Sequence, residues 1–148
     1  MQITIKIDDK KAVLAGGLVN ELSLARRFGM QNLVSSIEAA AVKAAPVQKG
    51  NLAGSRTSHV SNDGLRGEVR FTAPYAEYVY RGTGLFGPYK KRIVPNNKKA
   101  LFWQGAPHPF RSIAGMKPNL WIDRALAGVN AQLEFDLGIS NYLRNRGW

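Results

Sequence analysis

The 148-residue chain contains no cysteine. Disulfides, thiolate metal sites and cysteine nucleophiles are therefore excluded, and the composition fits assembly in a reducing cytoplasm. No apolar run approaches the length that spans a bilayer. Met1 to Ile7 alternates like a strand and lacks the basic flank and apolar block of a signal peptide. The expectation is a soluble protein with no membrane partner. Histidine is scarce, with only His59 and His108. The ten carboxylates are scattered and form no cluster suited to a divalent cation. Between Tyr78 and Ile122 there is no acidic residue at all.

That gap coincides with an excess of the opposite sign. The formal charge is +11, from 21 Lys and Arg against 10 Asp and Glu. Arg81, Lys90, Lys91, Arg92, Lys98 and Lys99 all fall in the acid-free stretch, with Arg111 and Lys117 beyond them. A balance of this kind attracts polyanions, but a solvated basic face has the same composition. Both readings stay open, and the six cations from Arg81 to Lys99 are the candidate nucleic-acid-facing residues.

The chain is organised around Phe71 to Phe86. Gly67 to Thr72 alternates like a strand, and Pro74 stops it because proline has no N–H to donate. Tyr75, Tyr78 and Val79 fall at i, i+3 and i+4, which predicts one apolar face of a short helix. Arg81-Gly82-Thr83-Gly84 ends that helix and opens a basic, glycine-bearing arm. The arm is expected to be mobile over residues 81–99, with the glycines supplying flexibility. Gly82, Thr83, Gly84, Leu85, Phe86, Gly87 and Tyr89 are its candidate interface residues. The Gly82 to Gly87 segment looks superficially like a phosphate loop. It lacks the terminal Gly-Lys-Ser/Thr and does not run from strand into helix, so no nucleotide or other cofactor is expected.

Elsewhere the periodicity is plain. Ile3, Ile5 and Ile7 share a strand face. Helical spacing covers Lys11 to Arg27, and Gly29 is expected to separate that helix from a second over Gln31 to Ala45, capped by Asn32 and ended by Pro46. Arg56 to Ser61 and Gly67 to Thr72 read as a hairpin about Asn62-Asp63-Gly64. Lys99 to Trp103 and His108 to Ile113 read as two further strands. One last helix carries Trp121, Ile122, Ala125, Leu126, Val129 and Leu133, with Asn119 as its N-cap and a bend at Gly138. Residues 144–148 are expected to fray. The sum is a single α+β domain over 1–148: N-terminal helices and one long C-terminal helix on a mainly antiparallel sheet, with an extended basic loop.

Base-stacking by the central aromatics is one reading. The competing one puts Phe71, Tyr75, Tyr78, Trp103 and Phe110 against a core and leaves Tyr80, Phe86 and Tyr89 for an interface. His59 and His108 could act as acid and base on RNA, but nothing in the sequence brings them together or beside a carboxylate.

Three segments carry a resemblance. Ala44 to Ser55 (AAPVQKGNLAGS) is similar to an A-P-V-x-T-G-x-L-x-x-S element. Pro74 to Gly84 (PYAEYVYRGTG) is similar to x-Y-A-x-Y-V-E-x-G-T. Pro118-Asn119-Leu120, running to Leu126, resembles a P-F-L-x-x-A element that opens a last helix. In that order they resemble the neck, or tail-completion, proteins of tailed bacteriophages, also labelled minor tail or head–tail joining proteins. The likeness covers roughly residues 22 to 133. Lys49, Tyr80 and Asn119 stand where that family usually has Thr, Glu and Phe.

The resemblance implies a non-enzymatic virion protein made in the bacterial host cytoplasm. Such subunits form a ring, commonly a hexamer, between head connector and tail-tube proteins, and DNA passes through it. Subunit contacts by the arm and last helix, with weak or transient DNA contact, are the corresponding expectations. The alternative is a stand-alone basic nucleic-acid-binding protein.

Overall fold

The computed structural model describes residues 1–6, 18–47 and 50–147, and the side chains of 18–21 are not among what it describes. Ile7, the predicted helical turns from Lys11 to Gly17, Lys49 and Trp148 thus lie outside the described residues. The chain is α+β. Its residues form two compact units: unit 1 is Met1–Ala73 with Trp121–Trp148, and unit 2 is Pro74–Leu120.

Unit 1 holds most of the regular structure. Strand β1 (Gln2–Lys6), helix α1 (Leu18–Ala44), a helical turn α2 (Asn51–Gly54), strands β2 (Arg56–Val60) and β3 (Arg66–Phe71), and helices α4 (Trp121–Ala127) and α5 (Ala131–Asn145) belong to it. Helix α3 (Ala76–Arg81) lies in unit 2. The sheet is antiparallel throughout, in the order β1-β3-β2. Asn62-Asp63-Gly64 makes the β2–β3 turn, with Gly64 at φ +69° and its N–H bonded to the Ser61 carbonyl. Asp63 accepts from the Ser61 hydroxyl and the Leu65 N–H, which fixes the turn.

The sheet is one-sided. Gly67, Val69 and Phe71 alternate along β3 and are buried. α1 lies on that face so closely that a Cβ at Gly67 would collide with Val34 and Met30. The other face is polar: Gln2 donates to Glu68 (2.7 Å) and accepts from Arg70 (2.9 Å). Trp121 and Phe71 complete the core edge-to-face, centroids 4.7 Å apart, at an interplanar angle of 89°.

Two expectations about the helices are corrected. Gly29 does not divide α1, which runs unbroken from Leu18 to Ala44. A mid-helix glycine costs about 1 kcal/mol relative to alanine. Here it permits close packing: a Cβ at Gly29 would stand 2.9 Å from the Phe135 ring of α5. Gly138 faces it from α5, where a Cβ would fall 2.7 Å from the Gly29 Cα and 2.6 Å from the Phe28 carbonyl oxygen. Asn32 is accordingly no N-cap. It donates to the Glu134 backbone oxygen (2.6 Å) and carboxylate (3.1 Å), and Ser36 donates to the same carboxylate (2.8 Å).

The C-terminal helical stretch is also broken. α4 stops at Ala127 and α5 starts at Ala131, where Asn130 is the N-cap and accepts from the Leu133 N–H at 3.1 Å. The apolar stripe continued across the break and masked it. The 15-residue α5 remains the long C-terminal helix, and beyond it Arg146 donates to the Tyr142 hydroxyl (3.2 Å).

Candidate functional site

Unit 2 gathers the sequence's candidate residues. α3 forms as predicted, with Glu77 and Arg81 paired at i, i+4 (3.1 Å). Its buried residue is Ala76, however, while Tyr75 is 40 % and Tyr78 63 % exposed. The expectation that Tyr75, Tyr78 and Trp103 face a core is therefore wrong. A helix of under two turns has no room for a wide apolar face, and the small Ala76 makes its close contact. Trp103 lies parallel to Phe110, centroids 5.5 Å apart, and stays 47 % exposed; His108 tilts onto the other ring of that pair at 4.2 Å.

The arm after α3 is held by backbone bonds. Thr83 N–H donates to Met116 O (2.9 Å), Leu85 N–H to Ala114 O (2.8 Å), and Ile93 and Ile113 exchange bonds at 3.0 Å. Met116 N–H also donates to the Thr83 hydroxyl (3.0 Å). The glycines make this stitching possible. Gly82 and Gly84 take φ +78° and +63°. A Cβ on Gly84 would run into the Ala114 carbonyl, and one on Gly82 would come within 2.7 Å of the Met116 oxygen. The predicted strands over 99–103 and 108–113 reduce to single bridges, Leu101 with Phe110 and Ile93 with Ile113. The bonds stop at Ile93 and resume at Leu101.

Gly87-Pro88-Tyr89-Lys90 is a tight turn closed by Lys90 N–H to Gly87 O (3.3 Å). Proline suits the second position of such a turn, and the third position is Tyr89, 87 % exposed. Lys90 takes φ +52°, an uncommon backbone for a residue with a side chain. Phe86 is half-buried with the Lys117 ammonium 5.8 Å over its ring, and Leu85 is part-exposed. Glu77, Tyr78, Arg81, Tyr89 and Lys91 line one groove of about 540 Å³, together with the glycine segment.

The electrostatics are lopsided. Unit 2 carries eight of the 21 basic residues and one of the ten acidic ones, Glu77. Arg81 takes that carboxylate. Lys90, Lys91, Arg92, Lys98 and Lys99 are exposed and form no ion pair among the described residues; Arg92 instead donates to the Ser112 hydroxyl at 2.9 Å.

The two histidines belong to different units. His59 is exposed on β2, opposite Glu68 in register, and His108 sits in unit 2 beside Phe110. Among the described residues no three His, Cys, Asp or Glu side chains group as a metal site. One feature had no sequence signal: a groove of about 470 Å³ between α1 and α5, where Phe28 stacks on Tyr142 at 4.7 Å. Comparison with known protein families, characterised proteins and solved structures finds no match.

Proposed function

We propose that this chain is a structural subunit of a tailed-phage particle, a neck or tail-completion protein. It would form a ring at the head–tail junction through which DNA passes. The observation that carries the reading is the order and setting of the three motif segments. The first holds the end of α1 at Ala44 and the whole of α2, the second is α3 with its glycine exit, and the third leads into α4. Exposed apolar side chains add support, since Tyr89, Phe102 and Val94 stand out from unit 2 and Leu133 and Leu137 from α5. Surfaces of this kind suit heterologous ring contacts, in which one patch meets a different patch.

A stop codon in the coding sequence, in the particle-producing host, tests the proposal. Filled heads and separate tails, unjoined under the electron microscope, are the expected result. Normal infectious particles would overturn it. The cations of unit 2 that form no ion pair among the described residues favour a second reading, a stand-alone basic nucleic-acid-binding protein.

A further inference from the structure

Unit 2 combines two features that together suit a polyanionic, ring-bearing ligand. Apart from Arg81, which pairs with Glu77, its cations form no ion pair among the described residues, and large aromatic faces stand in solvent beside them. Charge alone would suit any polyanion, including an acidic polypeptide. The groove makes the distinction, because Tyr78 and Tyr89 line it with Arg81 and Lys91, and its one carboxylate, Glu77, is paired with Arg81. Tyr89 is held out by a proline turn, and Tyr78 by a helix whose packing residue is Ala76. Neither ring is spent on a core, as their exposures of 87 % and 63 % attest. Bases in a duplex are stacked on each other and offer no face to such rings. Bases of a single strand do offer one, and base–aromatic stacking tolerates any sequence.

We infer that unit 2 binds single-stranded nucleic acid, with Tyr78 and Tyr89 stacking bases, Lys91 meeting the phosphates and Arg81 exchanging its Glu77 carboxylate for one. The inference deepens the second reading above and rests on its premise that these cations meet nucleic acid. It does not depend on the ring. Lys90 and Arg92 flank the groove residues in sequence and extend the basic track along the strand's backbone.

Fluorescence anisotropy of the full chain with a labelled thymidine oligonucleotide, against a duplex of equal length, tests it across a salt series. The expected result is tighter binding of the single strand, with log K falling linearly in log salt at about −0.7 per phosphate neutralised. Tyr89→Ala should weaken single-strand binding by roughly 5- to 150-fold, the equivalent of one lost stack, with an unchanged salt slope. Tyr89→Phe should retain it. Lys91→Gln should make the slope shallower by about 0.7. An equal or tighter affinity for the duplex, or no effect of Tyr89→Ala, overturns the inference and leaves the second reading standing. Binding of neither nucleic acid at low salt overturns both. Equal competition by polyglutamate would show charge without stacking and also sinks the inference.

Discussion

Among single residues, Trp121 and Asp63 make the clearest demands. Trp121 is fully buried, and its indole N–H finds no hydrogen-bond partner among the described residues. A buried unsatisfied donor costs roughly 1–3 kcal/mol. Trp121→Phe removes that donor while keeping an aromatic ring against Phe71, so it should stay within about 1 kcal/mol of the parent. Trp121→Ala should cost about 3–5 kcal/mol. Urea unfolding of both variants measures the contrast. The Asp63 carboxyl is held below its ordinary range by the Ser61 hydroxyl, the Leu65 N–H and Arg26. A carboxylate depressed in the folded state adds stability above its unfolded value, near pH 4, and loses it as pH falls through the folded value. Asp63→Asn should therefore be less stable than the parent at about pH 6, and the difference should shrink at about pH 2. Urea midpoints at the two pH values read this directly.

At the level of elements, the α1–α5 contact turns on two glycines with unequal surroundings. A Cβ at Gly29 meets the Phe135 ring and Ile139 side chain, which can shift. At Gly138 it meets backbone of α1, which cannot. Each alanine gains about 1 kcal/mol in helix propensity. Gly29→Ala should accordingly be near neutral, whereas Gly138→Ala should lose about 1–3 kcal/mol from overpacking, seen as a lower thermal midpoint. This contact also explains what could and could not be foreseen from sequence. The end of α1 was readable because Pro46 acts locally, and the hairpin because Asn-Asp-Gly does. Gly29 misled because its cost is repaid by a helix over a hundred residues away in the chain. The α4–α5 break hid behind a stripe that carries on through Val129 and Leu133. For the candidate site, the charge run was plain in the sequence, but Tyr78's exposure was not, since it depends on Ala76 taking the close contact.

For the whole molecule, the burial is concentrated in unit 1. Ala76 is the sole fully buried hydrophobic residue of unit 2 among those described; the rest of the core, from Ala25 to Tyr142, belongs to unit 1. Unit 2 depends instead on backbone bonds and isolated bridges, which open at lower free energy than a packed core. Limited trypsin digestion should first cut between Lys90 and Lys99, leaving α1 and α5 intact, and amide exchange should be fastest in the same stretch. First cuts at Arg26 or Arg27 within α1 would contradict this. The close seat that Gly138 takes against Phe28 and Gly29 has a further consequence. As the chain emerges from the ribosome, α1 appears first and the whole of unit 2 follows before α5 is made. That flank of α1 can be covered only after α5 has been made, so the α1–α5 seam closes later in synthesis than the sheet contacts of α1.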